Sequence, residues 1–392
     1  MAENTKRSKK SAKNTKKNKF HLFSKGGKMD LTFLLLIFLI LSFGLVMLFS
    51  ASYADAYHRH HDSFHYIVRQ LIFAIGGICA MLAVSMIDYR VIRNFKKPLV
   101  IISLVLLVFV FTQKPINNAR RWIFIGDLFT FQPSEVAKFV LIVFLSDYMT
   151  ENAEKMRNFK DGIIKPMILV GVYAGLLILE PHISGMVLIV SIAVVMLIIG
   201  GVNFWHFVIS GMVGAPLGLL VIYALGKWDR LMLRVQYWLD PYSDPSGQGY
   251  QIIQSLYAIG SGELMGVGIG NSRQKYLYLP EPQNDFIFAI VSEEIGFIGD
   301  VILLLFFAMF IWRGFVIAIR CKDKFGTLLC SGLIAQVGIQ VIYNVAVVTK
   351  IVPNTGIPLP FFSYGGTSLF MLLIQMGVIL SISRENNMED KE

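Results

Sequence analysis

One aspartate stands between polar and apolar sequence, where its carboxylate could do chemistry. Asp285 follows the polar stretch Leu279-Pro-Glu-Pro-Gln-Asn and precedes the apolar run Phe-Ile-Phe-Ala-Ile-Val. A carboxylate at a water–lipid interface could take a proton from the hydroxyl of a polar headgroup, as a general base does. Aspartate is also a common cap for the first turn of a helix. The residue pattern leaves both roles open.

A second group of charges lies between two apolar segments. Arg120 and Arg121 precede Trp122, an aromatic residue of the kind that sits at membrane interfaces. Arginine suits two-pronged contacts with phosphate, although it also extends to lipid headgroups without binding a substrate. The following Gln-Pro-Ser-Glu, which ends at Glu135, is typical of a helix start.

Several ionisable residues lie inside apolar runs, where they are costly and are functional candidates by default. Glu135 and Lys138 are three residues apart, so they share a helix face and can pair. Such a pair is either a structural ion pair inside the bundle or a contact for a substrate. The other members of this set are Asp147, Glu180, His182, Glu293, Glu294 and Asp300.

The stretch 352–367, which contains Ser363 and Tyr364, cannot form a continuous helix. Its prolines lack a backbone N–H, and its glycines permit turns. Irregular backbone near a membrane must be buried in protein or face water. We therefore expect this stretch to line a cavity or to form a re-entrant loop.

The elements that must position these residues are apolar helices. Hydrophobic residues make up 55% of the 392 residues and charged residues 16%, against about 25% charged in a soluble domain. Apolar runs of roughly 20 residues can cross a bilayer. We predict an all-α, polytopic membrane protein with about ten transmembrane helices and a large extracytoplasmic loop over 226–285. The predicted helices are 31–51, 66–87, 98–112, 135–149, 163–180, 183–200, 204–225, 286–312, 326–347 and 367–383.

The net charge of +10 resembles that of a nucleic-acid-binding protein, but it is concentrated in a tail. Residues 1–29 hold ten lysines and arginines and a single acid. We predict a disordered tail that rests on the anionic inner leaflet, and no nucleic-acid partner. The transmembrane domain is expected over 30–384 and a short C-terminal tail over 385–392.

Loop charges predict the orientation. Basic residues fill the predicted loops 88–97, 150–162 and 313–325. By the positive-inside rule, both termini are then cytoplasmic and 226–285 lies outside. Histidines at 58–65 do not predict a metal site, because no helix or hairpin fixes them as ligands.

Five stretches follow one another in a fixed order along residues 30–384. They are Gly44-Leu-Val-Met, Ala119-Arg-Arg-Trp with Phe131-Gln-Pro-Ser-Glu-Val-Ala-Lys, Gly249-Tyr-Gln-Ile-Ile-Gln-Ser-Leu-Tyr-Ala-Ile, Asn284-Asp-Phe-Ile-Phe-Ala with Glu293-Glu-Ile-Gly, and Gly356-Ile-Pro-Leu-Pro-Phe-Phe-Ser-Tyr-Gly-Gly. Together they resemble the SEDS family of shape, elongation, division and sporulation proteins. The pattern is most similar to the division branch, with the sporulation and elongation branches as alternatives.

The resemblance implies a peptidoglycan glycosyltransferase of the bacterial cytoplasmic membrane, active at the division septum, and places the family's catalytic aspartate on Asp285. The implied partners are lipid II, a class B penicillin-binding protein, other divisome proteins and membrane lipids. The departing undecaprenyl diphosphate needs cations more than a proton donor. A divalent cation could supply part of that charge, although no ligand set for one is evident. We expect substrate contacts from Arg120, Arg121, Glu135, Lys138, Lys275, Glu293, Ser363 and Tyr364.

Two departures from the family pattern stand out. The family often has Pro-Asp-Leu-Gly where this chain has Pro-His-Ile-Ser, so a role that needs a carboxylate at His182 is in doubt. Glu263 replaces a usual glycine, which suits the turn only if its φ is negative. Two other functions stay open: a transporter that flips lipid II, and a scaffold without catalysis.

Overall fold

The structure is a computed structural model that describes residues 27–115, 120–126, 129–247 and 249–389. The predicted tail therefore lies almost wholly outside the described residues. Within these ranges the chain is all-α apart from one short hairpin, in which β1 (Ile123–Ile125) pairs antiparallel with β2 (Phe129–Phe131). Helices dominate because a helix satisfies its own backbone hydrogen bonds in an apolar surrounding.

The helices follow one another along the whole described chain. The first eight are α1 Leu31–His60, α2 His65–Ser85, α3 Arg90–Asn94, α4 Lys96–Phe109, α5 Pro133–Glu151, α6 Lys165–Leu179, α7 Ile183–Ile199 and α8 Phe204–Ala224. The others are α9 Trp228–Leu239, α10 Tyr250–Ser261, α11 Ile287–Arg320, α12 Lys324–Val348 and α13 Gly366–Glu389.

Within the described ranges, seven helices are long and apolar enough to cross a membrane. They are α1, α2, α6 with the π turn before it, α8, α11, α12 and α13. Helix α7 is apolar but shorter. The chain is thus a multi-pass membrane protein, as predicted, while the number of about ten crossings stays a prediction.

The bundle is built around α12, which packs against α5, α7, α11 and α13, while α13 also packs closely along α2. Helix α8 differs from the other membrane-length helices of the described chain, because none of its residues is buried. A groove lined in part by Leu219 and Ile222 runs beside this helix.

The two ends of the described chain meet on one face of the bundle. Arg313, near the end of α11, donates to Asp30 at 2.6 Å. Arg384 donates to the Gly27 carbonyl at 3.1 Å, and Asn387 donates to the Lys28 carbonyl at 2.7 Å. The beginning of α11, where Asp285 lies, is therefore at the opposite face.

Helix α11 is broken at Gly296, whose φ of 68° and ψ of −178° are not helical. The preceding loop repairs the break. Backbone N–H groups of Val267 and Gly268 donate to the carbonyls of Glu293 and Glu294, each at 3.0 Å. The N–H of Phe297 beyond the break donates to the Glu263 carbonyl at 2.9 Å. The loop thus supplies the hydrogen-bond partners that the broken helix lacks. The sequence alone predicts one uninterrupted helix here.

Glu263 itself adopts a φ of +47°. From the sequence, this turn is expected to accept glutamate in place of glycine only if its φ is negative. The structure does not meet that condition. A left-handed conformation costs a non-glycine residue of the order of 1 kcal/mol. The hydrogen bond from Phe297 to its carbonyl holds the residue in place.

The side chains of Glu293 and Glu294 fix the next part of the loop. Glu293 accepts hydrogen bonds from the backbone N–H groups of Arg273 and Gln274 and from the Ser272 hydroxyl. Glu294 forms a fully buried ion pair of 2.9 Å with Lys275. Because a buried charge without a partner is costly, both carboxylates bind this loop tightly to α11.

We predict that Gly296→Ala destabilises the protein. Alanine is strained at this φ, and its methyl group would overlap the backbone nitrogen of Gly266, at a cost of about 1–3 kcal/mol. Gly171→Ala is the control, because its methyl group would meet nothing within 4 Å on α6. Thermal unfolding in detergent should show a lower midpoint for Gly296→Ala alone. Equal midpoints would mean that the break is not a structural requirement.

Candidate active site

A polar cavity of about 800 Å³ opens at the face opposite the termini. Its walls come from α1, α2, α5, α7, α12, the start of α13, the β1–β2 hairpin with the residues just before it, and the two irregular segments that precede α11 and α13. It collects most of the residues singled out from the sequence. These are Arg121, Glu135, Lys138, Asp285, Ser363 and Tyr364.

Asp285 lies in the irregular segment before α11, which α12 joins to the irregular segment before α13. The side-chain amide of Asn344 donates to the Asp285 carbonyl at 2.7 Å and to the Ile357 carbonyl at 2.8 Å. Gly356 has a φ of +68°, and a methyl group there would lie 3.0 Å from the Asp285 Oδ2. Glycine is therefore required both for the turn and for the room beside the carboxylate.

A second network holds the same segment from the other side. Gln283 donates to Asp55 Oδ2 at 3.0 Å, and its carbonyl accepts from the Tyr364 N–H at 2.8 Å. Asp55 is buried and also pairs with Arg59 at 2.8 Å. Helix α1 and the segment before α13 thus both position the residues next to Asp285.

The surroundings of Asp285 favour the uncharged, protonated form of its carboxyl group. Removal from water and, to a smaller extent, the charge of Glu281 raise the pKa of the carboxyl, whereas a backbone hydrogen bond and Arg121 oppose the rise, so that the pKa lies at about 6. The residue keeps some exposed surface in the cavity. A carboxylate of this kind is largely ionised at neutral pH, yet basic enough to accept a proton.

Glu135 and Lys138 form the ion pair that their spacing predicted, with 2.8 Å between the charged atoms. Both are almost fully buried, yet both line the cavity. The pair lies in the first two turns of α5, where an acid is favoured by the helix dipole. It places a balanced, rigid pair of charges at the cavity wall.

His182 lies in the same wall, at the position where the family often has an aspartate. Its ring packs over Gly185, where a methyl group would overlap it. Burial, Arg121 and Lys138 lower the pKa of His182 to about 3, so the imidazole is neutral. Its Nε2 lies 3.5 Å from the Gln132 amide nitrogen. A neutral imidazole can exchange hydrogen bonds with a substrate but cannot replace a negative charge.

Three residues predicted to contact substrate do not reach the cavity. Arg120 is exposed and donates to the Phe111 carbonyl at 2.7 Å. Lys275 is buried in its ion pair with Glu294, and Glu293 is occupied by loop backbone. Their geometry assigns the last two to the support of α11, since a charge already buried in a pair is not available to a ligand.

The cavity also contains residues that the sequence analysis missed. Arg59 and Arg69 line it from the outer ends of α1 and α2. Gln70 accepts from the Gly365 N–H at 3.2 Å and donates to the Ser363 carbonyl at 3.3 Å. The signals were present: an Asp–Arg pair four residues apart ends α1, and an Arg–Gln pair interrupts an apolar run.

Comparison with known proteins identifies the family to which the chain belongs. The family model of the cell cycle proteins FtsW, RodA and SpoVE matches residues 30–388. Stage V sporulation protein E of Bacillus subtilis (strain 168) is 41% identical over 91% of this chain and 97% of that protein. The probable peptidoglycan glycosyltransferase FtsW of Trichlorobacter lovleyi is 36% identical, with coverages of 90% and 93%. The chain belongs to the FtsW, RodA and SpoVE family.

Solved structures agree with this assignment. A structure described as structural coordination of polymerization and crosslinking by a peptidoglycan synthase complex has a TM-score of 0.75 at 28% identity, covering 91% of this chain and 98% of its own. The rod shape determining protein RodA of Thermus thermophilus has a TM-score of 0.64 at 26% identity, with coverages of 91% and 97%. The predicted fold class and family resemblance are confirmed, while the division branch stays a prediction.

We predict that Asn344→Leu loosens the site. The change leaves the Asp285 and Ile357 carbonyls without their donor, and an unsatisfied buried group costs about 1–3 kcal/mol. The expected result is a lower thermal unfolding midpoint and faster hydrogen exchange in the segments around Asp285 and Gly356. Thr349→Val at the end of the same helix is the control, because it removes only a bond within α12. Unchanged exchange around Asp285 would remove Asn344 from the positioning network.

Proposed function

We propose that this protein polymerises lipid II into glycan strands at the outer face of the cytoplasmic membrane, with Asp285 as the general base. It is an enzyme, a peptidoglycan glycosyltransferase. The observation that carries the assignment is the partly exposed Asp285 carboxylate in a polar cavity, held from α1, α12 and the segment before α13. A base held this firmly suits proton abstraction from a bound hydroxyl group.

The surroundings of the cavity suit a lipid-linked substrate. Beside α8 lies an apolar groove of about 780 Å³ that shares Arg121 with the polar cavity. Its walls include Ile178, Ile183, Val187, Leu219, Ile222 and Leu231. A polyprenyl chain fits such a groove through apolar burial, while the disaccharide and peptide occupy the polar side.

The reaction follows from this arrangement. A sugar hydroxyl of the acceptor attacks the anomeric carbon of the donor, and its proton passes to the Asp285 carboxylate. A new carbon–oxygen bond forms as the bond from the anomeric carbon to the diphosphate breaks. The departing diphosphate keeps the electron pair and is stabilised by nearby cations, of which Arg121 is best placed. A second carboxylate acting as an acid is not required.

A divalent cation could neutralise part of the diphosphate charge. Among the described residues, no group of three or more histidine, cysteine or acidic side chains is arranged to hold one. A cation would therefore bind mainly through the substrate, in the manner of Mg²⁺ on phosphates. Dependence of the polymerisation rate on added Mg²⁺ or Mn²⁺, and its loss with a chelator, tests this proposal.

The cellular setting is proposed from the same features. The face that holds the termini also carries Arg93 and Lys96, both paired with Asp147. On the positive-inside rule, we propose that this face is cytoplasmic and that the cavity opens on the outer side. A class B penicillin-binding protein is the proposed partner, together with other divisome proteins at the septum, because a structural relative is described as part of a peptidoglycan synthase complex.

The predicted alternatives are separated by one reconstitution. Purified protein in vesicles is given lipid II, and both glycan polymer and transbilayer movement of labelled lipid are measured. Polymer without movement supports the proposed enzyme. Movement without polymer supports the flippase, and neither activity, with recruitment intact, supports the scaffold.

We predict that Asp285→Asn lowers polymerisation by at least about a hundredfold, the usual contribution of a general base. Asparagine keeps the shape of the side chain and one of its oxygens, and no side chain caps the start of α11, so folding and lipid II binding should stay near normal. The measurement is glycan polymer formed from lipid II by equal amounts of folded protein. Asp62→Asn is the control, because Asp62 is exposed on the same face and outside the cavity. Near-normal polymer from Asp285→Asn would contradict the assignment of Asp285 as the base.

We also predict a specific pH dependence. The base acts in its ionised form, so the rate should rise with pH and level off above about 6, where the Asp285 carboxyl loses its proton. Arg121→Gln removes a charge that lowers this pKa, so the acid limb should move to higher pH. Glu281→Gln removes a charge that raises it, so the limb should move to lower pH. The measurement is the polymerisation rate as a function of pH at saturating lipid II. If the acid limb lies at the same pH in both variants, the assignment of Asp285 as the base is contradicted.

A further inference from the structure

Asp285 lines two cavities, the large polar cavity and a smaller one beside it. A smaller cavity of about 220 Å³ is lined by Asp285, Arg121, Arg234, Tyr237 and Thr355. Arg121 and Arg234 also line the apolar groove beside α8, whereas Asp285 does not. From the groove towards the smaller cavity, the apolar side chains come first, the two arginines follow, and the Asp285 carboxylate comes last.

Arg234 is held over the groove by helix α9, which is anchored at both ends. At its start, the Lys227 ammonium donates to the Ile178 carbonyl at the end of α6. At its end, the Trp238 indole donates to the Lys350 carbonyl at 3.0 Å. The helix thus spans from α6 to the segment after α12, with Arg234 near its middle.

The two arginines are suited to one kind of group. Guanidinium ions bind phosphate oxygens in a planar, two-pronged geometry, and two of them match the charge of a diphosphate. In a lipid-linked sugar, a diphosphate joins an apolar chain to the sugar. The site has the matching sequence of surfaces: the apolar groove for the chain, the two arginines for the diphosphate and Asp285 next to the sugar. A single phosphate or a neutral headgroup would use only part of this arrangement.

We propose that Arg121 and Arg234 form the binding site for the leaving polyprenyl diphosphate, with its chain in the groove beside α8. The inference rests on the proposed function and adds to it a residue, Arg234, that the sequence analysis did not select. The acceptor then occupies the larger polar cavity, so that Asp285 faces the acceptor hydroxyl from between the two. As the bond to the anomeric carbon breaks, the negative charge that develops on the diphosphate is met by both guanidinium groups.

The test measures binding of undecaprenyl diphosphate to purified protein in detergent, in an Asp285→Asn background so that catalysis does not enter. We expect Arg234→Gln to weaken binding by about tenfold or more, the effect of losing a charge-assisted hydrogen bond. Arg234→Lys should restore only part of the loss, because it lacks the planar fork. Arg273→Gln is the matched control, since Arg273 is exposed on the loop and lines none of the three cavities.

The specificity arm compares undecaprenyl diphosphate with undecaprenyl monophosphate and phosphatidylglycerol. The proposal requires that the effect of Arg234→Gln be largest for the diphosphate, and that phosphatidylglycerol compete weakly. Equal effects on all three lipids would make Arg234 a general contact for anionic lipids and overturn the proposal. Arg234→Gln matching Arg273→Gln in diphosphate binding would also overturn it.

The polymerisation assay separates this proposal from the one on which it rests. With the wild-type Asp285 present, Arg234→Gln should weaken product inhibition by undecaprenyl diphosphate by a similar factor. Normal polymer formation with unchanged product inhibition would reject the diphosphate site and leave the glycosyltransferase standing. Diphosphate binding that depends on Arg234, in a protein that forms no polymer, would keep the site and reject the function.

Discussion

The site depends on one unusual constraint, the repair of a broken membrane helix by the loop that precedes it. At Gly296 helix α11 leaves backbone groups without helical partners, and residues 263–268 of the loop supply them. Unpaired backbone groups are costly in an apolar surrounding, so loop and helix are forced together. Glu293 and Glu294 add side-chain bonds to residues 272–275. The segment that leads to Asp285 therefore begins at residues that are fixed to helix α11.

This constraint explains how a long loop can carry a precise site. General-base catalysis needs the carboxylate within hydrogen-bond reach of the reacting hydroxyl, and a mobile loop would not keep it there. Asn344 joins the Asp285 segment to the glycine turn at Gly356, and Gln283 joins it to α1. The charged residues of the polar cavity and, through Arg121, the apolar groove are therefore both close to the Asp285 carboxylate. Two charged residues that were predicted to contact substrate, Glu293 and Lys275, instead hold the loop to helix α11.

Much of the fold is predictable because apolar runs of membrane length have few other structures open to them. The Glu135–Lys138 pair is equally predictable, since a three-residue spacing fixes both side chains on one helix face. The placement of Lys275 and Arg234 is not, because it depends on how a sixty-residue segment folds back on distant helices. A glycine at position 296 gives no sign that the helix breaks there, and the left-handed Glu263 contradicts local preference. Contacts across the bundle decide these features.

The most direct test of the central claim is a structure of the Asp285→Asn protein bound to lipid II, in which the substrates are held before reaction. We predict a sugar hydroxyl of the acceptor within about 3.2 Å of the side chain at position 285. The donor diphosphate should lie against Arg121, with its chain in the groove beside α8. An acceptor hydroxyl far from position 285, or a diphosphate bound away from Arg121, would contradict the assignment of Asp285 as the base.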